Sequence, residues 1–388
     1  MANPPPIAAV PKSRFSAGNF CDDVDSRDLV YFLLNVGDAD CQLILLPVEL
    51  DAQGQPFRRG IVVDVGVSRK LPSLIGALRS PPSGPPLLRP DAGPGTFPIV
   101  VGTHPHDDHI RGMPELFEDF GQEISEYWDP GYYYPGQAYL ETMAHLEDAS
   151  RYVSYTQPTA GMTRYVGAVK IVALSPAIAL RNRFDSYGVD PNNASIALKV
   201  EFPASRVEQR GSDRRYLRIP QTQSLILGAD TQTLSWGYVM SDFPELRQDD
   251  SPVAKELRMA LGYDPLSASV FKIPHHGSKH GVNLELVELI NPEIGLVSSV
   301  NGGGKYQFPH EVSIEAIREG MEPTTSGGRV RSDDWNLQLQ YTAAKDTGGA
   351  VLGSIAIVLS PTGRKRHIWR FGDRPDQMTN LSQGRLFT

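Results

Sequence analysis

Cysteine, histidine and excess positive charge are all scarce in this chain of 388 residues. Its two cysteines, Cys21 and Cys41, are too few for a disulfide framework and lack the paired spacing of a structural zinc site. They read as reduced thiols in an intracellular protein. No apolar run approaches the ~18 residues that a spanning helix needs, and the start, "MANPPPIAAVPKSRF", has no apolar stretch of signal-peptide length. The expectation is a cytoplasmic protein with no membrane partner. A formal charge of -8, from 37 basic and 45 acidic residues, excludes a broad cationic surface for wrapping nucleic acid. Phosphate binding, if any, has to be local.

What is present is a set of buried-looking strands. The runs "DLVYFLLNV" (28–36), "CQLILLP" (41–47), "GIVVDVG" (60–66) and "FPIVVGTH" (97–104) are dense in branched and aromatic residues and end at Gly, Asp or Pro. A helical spacing over 71–79, a Pro/Gly loop over 81–95 and a further helix over 111–121 complete a first half. The second half repeats the pattern with strands at 169–176, 195–202, 224–230, 269–274 and 294–300, and helices around 252–261 and 283–290. Strands at 335–342, 353–360 and 366–371 close the chain. Two β-rich halves, each backed by helices, predict a four-layer αββα sandwich of the α/β class. Residues 1–25 are expected to be an irregular arm and 26–388 one enlarged domain. Insertions are expected at 122–165, which is rich in tyrosine, and at 231–265.

The chemistry-bearing residues sit just after strands. Only nine histidines occur in the chain, and three of them fall in "HPHDDH", residues 104–109. Asp230 follows "SLILGA", and His275 and His276 follow "SVFKIP". Strand ends are where a rigid sheet delivers side chains to exposed loops, so three strands can bring imidazoles and carboxylates to one edge. Imidazole with carboxylate and no cysteine suits a catalytic site for zinc or manganese better than a closed structural one. A tight loop can divide His104, His106, Asp108 and His109 between two ions, with Asp230 bridging them. Two ions ~3.5–4 Å apart acidify a shared water and clamp the oxygens of a phosphate.

His-x-His-x-Asp-His resembles the signature of the metallo-β-lactamase superfamily. The resemblance implies the αββα fold and a dinuclear centre in which His104 and His106 serve one ion and Asp108 and His109 the other. "VYFLLNVGDADCQLILLP", "IVVDVG", "NNASIALKVEF", "LILGAD" and "FKIPHHGSKHG" follow the order of the ComEC-type DNA-uptake nuclease branch, and similar signatures occur in choline-phosphate esterases. Against that branch's pattern Asn35 stands for Asp and Asp38 for Gln, while Asp40 and Asp64 are kept. In "NGGGKYQFPHEV" Phe308 precedes Pro309 where the branch often has His, and His310 lies one step beyond as its replacement or as a mere helix-entry residue. The third histidine that many superfamily members add to the first ion has one counterpart in this interval, His145, within a helical stretch. It reads as an ordinary helix residue.

His275 and His276 are neighbours, and on an extended segment neighbours point apart, so one is expected to bind metal and the other to meet a phosphate oxygen or orient a ligand. Ser278 is a candidate anion donor, and Asn192 or Asn193 a candidate substrate contact or a structural turn. The basic and aromatic "GRKRHIWRF" (363–371) reads as an exposed hairpin edge or a nucleic-acid contact, and "SGGRVRSDDW" (326–335) as a polar loop. The resulting expectation is a phosphodiesterase or nuclease with two divalent ions and a bridging hydroxide that attacks phosphorus. Asp108, His275 or His276 would handle the proton. Two alternatives stay open. One is hydrolysis of a small ester, lactone or β-lactam; the other is a non-catalytic metal- or nucleotide-binding protein.

Overall fold

The computed structural model describes residues 8–388 apart from 68, 91–92, 182–189, 211–214, 220, 243–265, 301–304, 322–323, 326–327 and 330–337. Strands β1 (Phe15–Ala17), β2 (Leu29–Leu33), β3 (Cys41–Leu45), β4 (Gly60–Val65), β5 (Val100–Val101), β6 (Glu126–Trp128) and β7 (Ser154–Thr156) come first. Then follow β8 (Thr163–Val166), β9 (Val169–Ala173), β10 (Leu198–Phe202), β11 (Gln223–Leu227), β12 (Val270–Lys272), β13 (Ile294–Val297) and β14 (Leu339–Tyr341). The chain ends with β15 (Ile355–Leu359), β16 (Arg366–Arg370) and β17 (Arg385–Phe387). Two large sheets result, ordered β1-β17-β16-β15-β2-β3-β4-β5-β6-β7 and β8-β9-β10-β11-β12-β13-β14.

The near-continuous apolar runs are explained by burial on both faces of each sheet. In β2, Leu29, Tyr31 and Leu33 point at the other sheet and meet Ile171, Leu198, Leu225 and Leu296. Val30 and Phe32, the alternate residues, point outward with Leu43 and Val62. That outer face is covered by α1 (Lys70–Arg79), α2 (Met113–Phe120) and α3 (Gln137–Asp148), through Leu74, Leu78, Leu116 and Leu146. The second sheet presents Val172, Ile226 and Phe271 to α4 (Thr233–Asp242), α5 (Leu284–Ile290) and α6 (Glu311–Met321), whose Trp236, Val287 and Ile317 complete a third cluster. Helix, sheet, sheet, helix is the four-layer αββα sandwich that the strand pattern points to. At ~1.5–3 kcal/mol for each fully buried large apolar side chain, these three clusters dominate the stabilisation.

Two expectations need adjustment. The arm expected to be irregular is ordered where described: β1 pairs with β17 by register Phe15↔Phe387, and Phe20 is fully buried against Phe32 and Phe371. Its partner strand lies at the far end of the chain, so no local pattern reveals it. The 122–165 segment is built into the first layer, because β6 and β7 extend that sheet in parallel and α3 packs on α2. The helix expected around 252–261, and the 231–265 segment beyond residue 242, lie outside the described residues.

Among the polar contacts that cross between the sheets, one lies beneath the histidine cluster. Lys272 at the end of β12 donates Nζ to Asp40, just before β3, and both side chains are fully buried. Ser298, after β13, donates Oγ to the other Asp40 oxygen at 2.5 Å. Burial opposes the charge on Asp40, but Lys272, His276 and His109 outweigh it and hold this carboxyl below its ordinary range. Removing one member of such a pair leaves the other charge buried and uncompensated. Lys272→Met is therefore expected to lower the unfolding free energy of the metal-free protein by ~3–5 kcal/mol, read from urea denaturation. Adding Asp40→Asn should recover most of that loss. A double variant no more stable than Lys272→Met would show that charge pairing is not what Lys272 contributes.

Candidate metal centre

The cluster forms where β4, β5, β11 and β12 end at the same edge of the two sheets. Gly102 and Thr103 lead from β5 into His104 and His106, and a single helical turn, Asp107–Ile110, carries Asp108 and His109. Gly66, after β4, admits that turn: a Cβ there would overlap the carbonyl oxygen of Asp108. The same oxygen accepts from Asp40 N at 3.0 Å, while Gly66 N donates to the Asp40 carbonyl at 2.7 Å. A glycine at 66 is thus a matter of space.

Asp230 is the hub. It is 1% exposed, and its two oxygens face different imidazoles. Oδ2 lies 3.9 Å from His104 Nε2 and 3.5 Å from His275 Nε2, and His106 Nδ1 is 3.1 Å from His104 Nε2. Oδ1 lies 3.2 Å from His109 Nε2 and 3.8 Å from His276 Nε2. Asp108 Oδ2 closes the second group, 3.6 Å from His276 Nε2 and 3.9 Å from His109 Nε2. Asp108, His109, Asp230 and His276 all offer ligand atoms within 4.8 Å of one another.

The outward sides of these rings are held. His109 Nδ1 is 2.7 Å from Asp64 Oδ2, and Asp64 accepts from Thr103 N at 2.8 Å and Thr103 Oγ1 at 2.9 Å. His276 Nδ1 meets the Ser298 carbonyl at 2.9 Å and its hydroxyl at 3.1 Å. Fixing one nitrogen in this way aims the other at the centre, as supporting partners do around metal-bound histidines. The inward atoms His109 Nε2, His276 Nε2 and Asp230 Oδ1 are buried without a hydrogen-bond partner among the described residues. Buried polar atoms are nearly always satisfied, so three orphans converging on one point are what a cation site requires.

The expectation that His275 and His276 lie on an extended segment and diverge is corrected. Both adopt left-handed backbone, φ 50° and 53°, in a tight Pro274–Gly277 turn. The turn brings both Nε2 atoms to Asp230 instead of opposing them. Left-handed backbone costs about 1–2 kcal/mol per non-glycine residue, and such strain gathers at functional sites.

Opposite charges compensate one another within the cluster. At His109, burial disfavours the imidazolium, yet Asp230, Asp64 and Asp108 outweigh it and raise the pKa well above the ordinary value. His276 is also raised against the pull of burial, by Asp108, Asp230 and Asp40. Asp230 is buried, which favours its neutral form, but His109, His275 and His276 hold it well below the carboxylate range. His104 is pushed well below the usual imidazole range by burial and by His109.

A cavity of about 840 Å³ opens over the cluster, lined in part by Asp38, Asp108, Ser278, Lys279, Tyr306 and His310. Lys279 N donates to His310 Nδ1 at 3.1 Å, which leaves the Nε2 of that ring to carry the proton. Asn192 lines the same cavity, whereas Asn193 donates to Gln232 at 3.3 Å and receives Ser235 Oγ at its carbonyl. The structure thus brings Asn192, and not Asn193, to the cavity. His145 lies in the last turn of α3. Of the basic residues of 363–371, Lys365 pairs with Asp28 at 2.8 Å, Arg366 with Glu293, and Arg370 is buried against Gln340, while Arg364 is exposed. Most of the 326–335 loop lies outside the described residues. Ser298, which holds His276 Nδ1, and Lys272, which pairs with Asp40, belong to no motif; the one sequence signal is a lysine inside the otherwise apolar strand "VFKI".

No family model matches the chain, and no curated protein sequence matches it. Solved structures similar to it include CmlA, a diiron β-hydroxylase from Streptomyces venezuelae, at 12% identity over 75% of this chain and 47% of that one, TM-score 0.33. The metallo-β-lactamase fold protein YhfI from Bacillus subtilis matches at 12% identity over 70% and 86%, TM-score 0.33. A diphosphatase from the PhnP family matches at 10% identity over 82% and 96%, TM-score 0.33. This chain spans about half the length of the diiron hydroxylase. Scores of this size carry no argument, and the layers and the cluster stand on the chain's own contacts.

Cation binding has to displace protons from His109 and His276, because a ring bonds metal through an unprotonated nitrogen. Both pKa values are raised, so proton competition extends to higher pH than an ordinary imidazole would allow. Affinity for manganese or zinc is expected to rise with pH through neutrality, by about tenfold per pH unit for each proton released. Calorimetric titration in buffers of different ionisation heats measures the release directly. Binding with no proton release and no pH dependence would contradict the charge assignment.

Proposed function

We propose that this chain is a metal-dependent hydrolase of phosphodiesters, a nuclease or nucleotide phosphodiesterase resembling the soluble domain of ComEC-type proteins. The observation that carries the reading is the pairing of Asp230 Oδ2 with His104 and His275, and of Oδ1 with His109 and His276. A carboxylate whose oxygens face separate imidazole sets suits two cations. His104, His106 and His275 would hold one ion and Asp108, His109 and His276 the other, with Asp230 shared. Bound zinc or manganese would supply Lewis acidity toward phosphoryl oxygens and lower the pKa of coordinated water.

The chain's own groups receive and orient the substrate. His310, with its proton on Nε2, and the Ser278 turn face the cavity and can donate to a phosphate oxygen. Lys279 and Lys305 add positive charge along the same wall. Asp108 is the exposed member of the ligand cluster, with 40% of its side chain open, and accepts the proton of the attacking water at its carboxylate. The fully buried His104 and His109 hold position instead. No helix among the described residues is long and apolar enough to cross a membrane.

The test is a substrate panel with the protein loaded with manganese or with zinc: bis-p-nitrophenyl phosphate, single- and double-stranded DNA, RNA and nitrocefin. Diester cleavage is expected, and the Asp108→Ala/His109→Ala double variant should lose it by more than ~10²-fold. Cleavage of nitrocefin alone would replace this reading with the ester or lactam hydrolase. Bound metal with silence on every substrate would replace it with a non-catalytic binding protein.

A further inference from the structure

The cavity wall beside His276 is a column of rings. Phe308, 5% exposed, has its centroid 5.3 Å from that of His275 and lies tilted at 32° to His276, 5.7 Å away. Tyr306 stacks on Phe308 at 5.6 Å and 23°, and this outermost ring is 56% exposed. An exposed tyrosine is ordinary by itself. Here it ends a column that begins at an imidazole of the candidate metal centre, so any group stacked on it is held beside that centre.

Positive charge accompanies the rings. Lys305 Nζ is 4.9 Å from the Tyr306 centroid, and Lys279 and Arg111 line the same cavity. The opposite sign is also present: Asp38 lines the cavity but has one carboxylate oxygen occupied by Val300 N at 2.8 Å, and Asp190 is occupied by Gln232 Nε2 at 2.8 Å. Asp107 also lines the cavity, 4.0 Å from Arg111, and Asp108 and Asp230 belong to the metal centre, so Lys305 beside the ring and Lys279 are the cations offered to a ligand. Aromatic faces with adjacent cations bind nucleotides, the ring taking the base and the cation the phosphate.

We propose that Tyr306, seated on Phe308 and flanked by Lys305, is a stacking subsite for a nucleobase, so that the phosphodiester presented to the metal centre belongs to a nucleotide. The inference rests on the phosphodiesterase reading and adds the group next to the scissile phosphate. A base on that nucleotide can come from a small nucleotide ester or from a nucleic-acid strand, and both present the same face to Tyr306.

The experiment compares two substrates with the same leaving group, thymidine 5′-p-nitrophenyl phosphate and methyl p-nitrophenyl phosphate, on the manganese-loaded protein. Wild type is expected to prefer the thymidine ester in kcat/KM. Tyr306→Ala should reduce that preference by about 5- to 150-fold, and Tyr306→Trp should keep it. An unchanged ratio in Tyr306→Ala, or no preference in wild type, overturns the subsite. Binding of thymidine monophosphate and of a short oligothymidylate, with calcium replacing manganese, is measured in parallel. Tighter binding of the oligomer identifies a strand as the source, and equal binding a small nucleotide, provided Tyr306→Ala weakens both. If neither ester is hydrolysed but base-dependent binding is lost in Tyr306→Ala, the hydrolase reading fails and the subsite stands. Hydrolysis with an unchanged ratio fails the subsite alone.

Discussion

A carboxylate buried among imidazoles is the constraint around which this molecule is arranged. Taking an ionised group such as Asp230 out of water costs several kcal/mol unless partners compensate it. The carboxylates Asp230, Asp64 and Asp108 around His109, and Asp108, Asp230 and Asp40 around His276, raise both imidazole pKa values, so positive charge is favoured where the buried carboxylates need it. Everything nearby serves to hold four Nε2 atoms at the two Asp230 oxygens: Asp64 and Thr103 behind His109, Ser298 and Asp40 behind His276, Lys272 behind Asp40.

The backbone records the same constraint. Seven non-glycine residues have left-handed φ among the described residues, and four of them, Asp64, Ala229, His275 and His276, lie in or next to this cluster. Each costs about 1–2 kcal/mol against ordinary backbone, and the sandwich tolerates them because three apolar clusters stabilise it elsewhere. The strained turns do what relaxed strands cannot. At His275 and His276 a left-handed pair turns two adjacent rings toward one carboxylate; at Asp64 it lets a strand-end carboxylate reach back to His109.

Much of this was legible in the sequence because it depends on local pattern. Doubly buried strands are apolar throughout, so β2, β3, β4 and β12 could be marked from composition, and with them the points where ligands emerge. "HPHDDH" declared itself by density in a chain poor in histidine. What was not legible depends on contacts distant in sequence or on backbone shape. β1 needs β17, some 370 residues away, and no run of residues announces that pairing. Period-two reasoning assumed an extended backbone at His275 and His276, where two left-handed residues reverse its conclusion. Lys272 stands in an apolar strand because its partner, Asp40, faces it from the other sheet. The choice between Asn192 and Asn193 turns on a single short helical turn, whose phase the surrounding letters do not specify.

If Asp230 lies between two cations, anomalous scattering from crystals grown with manganese should show two peaks flanking it, one beside His104, His106 and His275 and one beside Asp108, His109 and His276, both absent from an Asp230→Ala crystal. A map with no peak at Asp230, or with peaks that persist unchanged in the variant, would rule the shared-carboxylate arrangement out.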